Sequence, residues 1–163
     1  MQSESQGTPH PAVGARRAVA VSRQLRCSAE DVFAVLADGW VYPVWVVGAS
    51  RMRAVDDDWP AVGSRLHHSA GAWPLLIDDT SEVLAYEPPK TMVLQARGWP
   101  AGEARVEITV EPSGAGCHVS IAEDASSGPA RLVPKAARHA MIAVRNREAL
   151  RRLAYLAEGR ARS

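Results

Sequence analysis

The chain has 163 residues, a hydrophobic share of 47% and a formal net charge of +1. That length fits one domain, and that share is ample for one core. A charge so near zero offers no field for a nucleic-acid partner, and no basic strip interleaves with the five Trp. Residues 1–14, MQSESQGTPHPAVG, lack the apolar region of a signal peptide and read as a disordered tail. No apolar run approaches the roughly 18 residues of a membrane helix, so no integral membrane association is expected. Cys27 and Cys117 lie far apart, with no C-x-x-C and no Cys/His ligand spacing. The expectation is a cytoplasmic protein with reduced thiols, no metal and no cofactor.

A first strand is expected within Ala15–Arg26, where Val19, Val21, Arg23 and Leu25 alternate with Ala18, Ala20, Ser22 and Gln24. Ser28 reads as an N-cap with Asp31 three residues on, and Val32, Phe33, Val35 and Leu36 follow at helical spacing. Asp38-Gly39 stops this short helix. Cys27 begins the capped region, where a helix N-terminus can lower a thiol pKa. Without a matching His/Asn signature it reads as structural. Trp40, Tyr42 and Trp45 crowd around Pro43 and predict a turn and a second short helix over about 41–47. These aromatics either rim a pocket or plug one end of the core.

Arg51–Val55 is a short strand. The run Asp56-Asp57-Asp58 lacks the spacing and glycine of a calcium loop and reads as a solvated loop. Gly63–Ser69 is a strand, so adjacent His67 and His68 point to opposite faces and cannot both ligate one metal. One of them faces inward and the other faces solvent. Gly71 with Trp73-Pro74 marks a hairpin turn. In the long strand Leu75–Tyr86, Asp78, Asp79 and Glu82 interrupt simple alternation, which a β-bulge would explain.

Thr91–Trp99 is another strand, and Pro100-Ala101-Gly102 turns it. Ala104–Glu111 alternates cleanly, with Ala104, Val106, Ile108 and Val110 inward. Its partner Cys117–Asp124 places Cys117, Val119, Ile121 and Glu123 in the inward phase. A carboxylate on a core face is costly unless paired or wet. Either Glu123 reaches a cavity, or the strand frays there.

Pro134 suits the first turn of a long helix running to about 158. One face of it carries Ala136, His139, Ala143, Asn146, Leu150, Leu153 and Ala157. Leucines fill space against a sheet and alanines leave it. Polar groups on such a stripe need partners. The helix is therefore expected to pack tightly at its C-terminal end and to roof a cavity at its N-terminal end. The arginines from Arg145 to Arg162 are diluted by Glu148 and Glu158 and read as a solvated face.

Consecutive strands joined by short turns imply an antiparallel sheet. The predicted architecture is α+β: a curved antiparallel sheet of about seven strands around a long C-terminal helix, with two short helices after the first strand. It forms one domain over 15–158, followed by a short tail at 159–163.

With these elements placed, the chain resembles the SRPBCC superfamily, also called START-like or polyketide cyclase/dehydrase-like, whose fold is the helix-grip. The resemblance covers roughly residues 16–158. It rests on VSRQLRCSAEDVFAVLAD at 21–38, GSRL at 63–66, SEVLAYEPPKTMVLQA at 81–96 and RNREALRRL at 145–153. It implies a pocket between the sheet and the long helix. Its members include lipid and hormone binders, cyclases, aromatases and proteins with no known ligand, and it supplies no universal catalytic motif.

Two functions are expected to compete. The first is binding of a small hydrophobic or polyketide-like molecule. Trp40, Trp45, Trp73 and Trp99 would give flat walls, and His67, Glu123, His139 and Asn146 would give polar anchors. The bland alternative for each anchor is a satisfied core or rim residue. The second is a polyketide cyclase or aromatase-type dehydratase with His139, Glu123 or His67 as acid/base. G-x-S-x-G, Walker and G-x-G-x-x-G patterns are absent from the sequence.

Overall fold

The computed structural model describes residues 18–72, 74–98, 102–128 and 132–162. The expected tail at 1–14, Trp73 and Trp99 lie outside the described residues. The elements are β1 (Val19–Leu25), α1 (Ala29–Leu36), a 3-10 turn (Gly39–Val41), α2 (Tyr42–Trp45), β2 (Ala49–Val55), β3 (Arg65–Ala72), β4 (Leu75–Glu87), β5 (Thr91–Gly98), β6 (Gly102–Ser113), β7 (Gly116–Ser127) and α3 (Lys135–Arg160).

The strands form one curved seven-stranded sheet in the order β1-β7-β6-β5-β4-β3-β2. All neighbours pair antiparallel. α1 and α2 carry the chain from β1 at one edge to β2 at the other. This is the expected α+β, helix-grip arrangement. β4 shifts register with β5 between Val83 and Ala85, past the carboxylates that a bulge was expected to explain; Asp78, Asp79 and Glu82 break the apolar pattern because Asp79 itself faces inward in an unbroken alternation.

α1 starts where its cap dictates. Ser28 Oγ accepts from the Asp31 amide at 3.1 Å, and the Ser28 amide donates to Asp31 Oδ2 at 2.9 Å. Two otherwise unpaired donors are satisfied reciprocally. Ser28→Ala is expected to lower stability by about 1 kcal/mol in urea denaturation. α1 closes at Ala37. Gly39 does not act as a left-handed stop, because its φ is not positive. It makes room instead: a Cβ there would lie 2.6 Å from Leu66 Cδ2.

α3 has 26 residues, about 39 Å of helix. Its C-terminal half buries Leu150, Leu153, Ala154 and Ala157 and packs on β1 and α1. Under it lie Val32, Val35, Val119 and Ile121, closed from solvent.

Cys27 and Cys117 belong to this core as free thiols. Burial pushes the Cys27 thiol up to about 12, and the neighbouring Cys117 adds to it. Burial also raises Cys117. The helix N-terminus therefore does not activate Cys27, because desolvation of the thiolate outweighs it. The native protein at pH 8 is expected to show no rapid reaction with a disulfide reagent such as dithionitrobenzoate. Both thiols should titrate once denaturant is added.

Candidate functional site

In an antiparallel sheet, alternate hairpins share an end. The β3–β4 and β5–β6 hairpins, the α2–β2 connection and the start of α3 therefore meet at one end of the fold. A cavity of about 580 Å³ lies there, between the sheet and the N-terminal half of α3. Its walls include Trp45, Leu94, Val106, Ile121, Ile142 and Ala149. Small residues leave the hollow open. Ala96 and Ala104 face each other in register on β5 and β6, and both line it.

Two polar groups are set into this apolar lining. The first comes from α2, β3 and β4. The Tyr42 hydroxyl lies 2.9 Å from Ser81 Oγ, which lies 3.1 Å from His68 Nε2. The Tyr42 ring leans on the His68 ring at 5.2 Å between centroids and meets Trp45 edge-on at 5.5 Å. His68 is paired in register with Asp79, and both residues line the cavity while being 4% and 7% exposed. Asp79 Oδ1 accepts from the Thr80 amide at 2.7 Å. Asp79 Oδ2 and His68 Nδ1 have no hydrogen-bond partner, a cost of about 1–3 kcal/mol for each such group.

Burial drives the electrostatics here. It pushes the Tyr42 phenol up to about 12, so the hydroxyl stays protonated. It lowers the pKa of His68, which Asp79 and the Ser69 backbone pull partly back. It raises the carboxyl of Asp79 against the opposing effects of the Thr80 amide, His68, Arg97 and Arg53. Desolvation thus favours the neutral form of each.

The second polar group joins β7 to α3. Glu123 is buried, and its Oε2 accepts from Arg145 Nη2 and, at 3.0 Å, from Asn146 Nδ2. Arg145 Nε also donates to Asn146 Oδ1 at 3.4 Å. The carboxylate on the inward phase is therefore paired, and β7 continues past it to Ser127. Arg97 and Glu103, half-exposed on the cavity lining, form an ion pair at 3.3 Å.

Of the residues singled out by sequence, Trp45, Glu123 and Asn146 line the cavity. His67, Trp40 and His139 do not. His67 is on the opposite face of β3, where Nε2 meets Asp56 Oδ1 at 2.9 Å. Trp40 is 60% exposed: the 3-10 turn sends Tyr42 and Trp45 inward, three residues apart, and leaves Trp40 outside. His139 misses because the roof of the cavity runs through Arg138, Ile142, Arg145 and Ala149.

Ser81, Asp79 and Arg145 were not expected as site residues, whereas Tyr42 was among the aromatics expected to rim a pocket or plug the core, and His68 was one of two histidines of which one was expected to face inward. A signal for two of them stood in β4, where Ile77, Asp79, Ser81 and Val83 share one phase. Polar residues inside an inward apolar series mark a wet or occupied wall.

No helix among the described residues is long and apolar enough to cross a membrane. A search of curated proteins finds no sequence match. Solved structures share the fold. The Nitrosomonas europaea protein NE0264 superposes with a TM-score of 0.70 at 13% identity, over 93% of this chain and 100% of its own. The Mesorhizobium loti protein MLL2253 gives 0.65 at 22% identity, over 87% and 97%. The di-domain ARO/CYC StfQ from the steffimycin biosynthetic pathway gives 0.68 at 12% identity, over 90% of this chain and 53% of its own. The family model described as polyketide cyclase / dehydrase and lipid transport matches residues 16–158, and the chain belongs to that family.

Proposed function

We propose that this protein binds a small hydrophobic or aromatic molecule in the cavity between the sheet and α3. The observation that carries this reading is the hollow itself. Its volume of about 580 Å³ falls within the range of small-molecule sites, and a mainly apolar wall with few convergent polar groups is their usual lining. Trp45 contributes an aromatic wall, and Glu123 and Asn146 are polar anchors held ready by Arg145. Membership in a family described by both cyclase and lipid-transport activities supports a ligand of this class.

A second reading, cyclase or aromatase-type chemistry in the same cavity, is favoured by one observation. A histidine and a carboxylate, His68 and Asp79, stand opposite each other on the cavity wall, the residue types that move protons near neutral pH. The likeness to StfQ agrees with it. Under this reading His68 takes the acid/base role expected of His67 or His139.

The test is a fluorescence titration with N-phenyl-1-naphthylamine on the wild-type protein and on Ala104→Trp. The indole would occupy the space opposite Ala96. Binding is expected to weaken by at least about tenfold, equal to 1.4 kcal/mol, with the far-ultraviolet circular dichroism unchanged. Wild-type affinity in the variant would place the ligand elsewhere. Native mass spectrometry after incubation with an extract of the source cells then separates the readings. A ligand returned unchanged supports the binder, and one returned with altered mass supports the enzyme.

A further inference from the structure

We infer that the molecule held in this cavity carries a hydroxyl at its buried end, bound between His68 and Asp79. This deepens the binding reading above and rests on it. One hydrogen-bond chain in the wall has a fixed direction. Tyr42 is a buried, protonated phenol and has one hydrogen to donate. Its partner is Ser81 Oγ. Ser81 then gives its own hydrogen to His68 Nε2. The reverse direction would leave the Tyr42 hydrogen buried without an acceptor. Nε2 is thereby an acceptor, and in the neutral ring the proton sits on Nδ1.

That Nδ1–H has no partner; the Ser69 backbone near the ring makes no bond of adequate geometry with it. Directly across the β3–β4 register, Asp79 Oδ2 has no partner, and in the ionised form that the Thr80 amide, His68, Arg97 and Arg53 favour against burial it is an acceptor. Residues opposed in this way hold their Cβ atoms about 5 Å apart. One unmet donor and one unmet acceptor thus stand together in the cavity wall, on two side chains each more than nine-tenths buried. Neither atom is open to solvent, so an entering group meets them by a small turn of the ring or the carboxyl.

The pair selects by chemistry. A hydroxyl oxygen accepts from His68 Nδ1–H and donates to Asp79 Oδ2, and both groups are satisfied. A carboxylate or phosphate at this pair would set a second negative charge against Asp79, while the arginine nearest Glu123, Arg145, is already paired with it. An ammonium has nothing to accept the His68 proton. An ether or a ketone leaves Asp79 unmet. Sites built around a hydrogen bond reject analogues that lack it far more strongly than apolar pockets reject a change of size.

The experiment compares 2-naphthol, 2-methoxynaphthalene and naphthalene on the wild-type protein and on Asp79→Leu, His68→Phe and Ala104→Trp, by fluorescence titration. Wild type is expected to bind 2-naphthol at least about tenfold more tightly than its methyl ether. Asp79→Leu and His68→Phe should each bind the two alike, and Ala104→Trp should lose both. Equal affinity of wild type for naphthol and ether overturns the hydroxyl assignment and leaves the binding reading standing. Discrimination that survives in both Asp79→Leu and His68→Phe overturns it too. Failure of all three probes to bind the folded wild type overturns both readings.

Discussion

A Gly116→Ala protein is expected to unfold at clearly lower urea than wild type, with a loss of about 3 kcal/mol, the upper end of what overpacking costs. Gly116 begins β7, and its φ is not positive, so a left-handed backbone is not the reason. The reason is a close approach of two chains. A Cβ at this position would lie 2.0 Å from the Leu25 carbonyl oxygen and 3.0 Å from its carbon. Both are backbone atoms, so no side chain can swing aside. The last residue of β1 would have to move, and Leu25 pairs with Cys117 and is 1% exposed in the core. Gly114, in the same turn, supplies the contrast. It has a φ of +58°, and a methyl group at its Cα would meet nothing within 4 Å. Gly114→Ala should therefore cost only about 1 kcal/mol, and Gly114→Asn less, because asparagine tolerates that conformation. If Gly116→Ala melted within about 0.5 kcal/mol of wild type, as an ordinary surface change does, the close packing of β1 on β7 would be wrong.

The order of elements was legible because most of them carry their own signal. Ala104–Val110 alternates without a break, and Ser28 with Asp31 marks the start of α1. Strand ends ran longer than the apolar pattern: β6 and β7 continue to Ser113 and Ser127, because backbone pairing does not need apolar side chains. The site was legible only in part. A two-residue period says that His67 and His68 face opposite ways, not which of them faces in. The register of β3 against β4 decides that, and it is a long-range fact. The inward phase of Glu123 was visible, but its partners were not, because Arg145 and Asn146 come from an element more than twenty residues away. On α3 the stripe through Asn146, Leu150, Leu153 and Ala157 was correct where the helix touches protein. It failed at His139, where the helix faces a hollow and no packing partner sets the phase. Trp40 and Trp45 look alike in sequence, and one short 3-10 turn separates an exposed ring from a cavity wall.

The same division of α3 predicts two very different truncations in one helix. Leu153→Ala is expected to cost about 3–5 kcal/mol in urea denaturation, and Ile142→Ala only about 1 kcal/mol. Leu153 is 0% exposed and packed in the core under the C-terminal half of the helix. Removing its branch leaves a closed void, and the close-packed neighbours cannot collapse into it. Ile142 is half-buried and lines the cavity. Its far side already faces empty space, so truncation enlarges an existing hollow and breaks fewer contacts. Helix propensity barely distinguishes the two changes, since each puts alanine in place of an aliphatic residue within α3. The difference therefore measures packing alone. Equal costs near 3 kcal/mol would mean that the hollow closes in solution and that Ile142 is an ordinary core residue. A large difference would mean that one half of the helix holds the fold together while the other half is free to be shaped by what it encloses. Binding should then respond in the opposite sense: Ile142→Ala should alter the affinity for N-phenyl-1-naphthylamine, and Leu153→Ala should leave it unchanged in the fraction that remains folded.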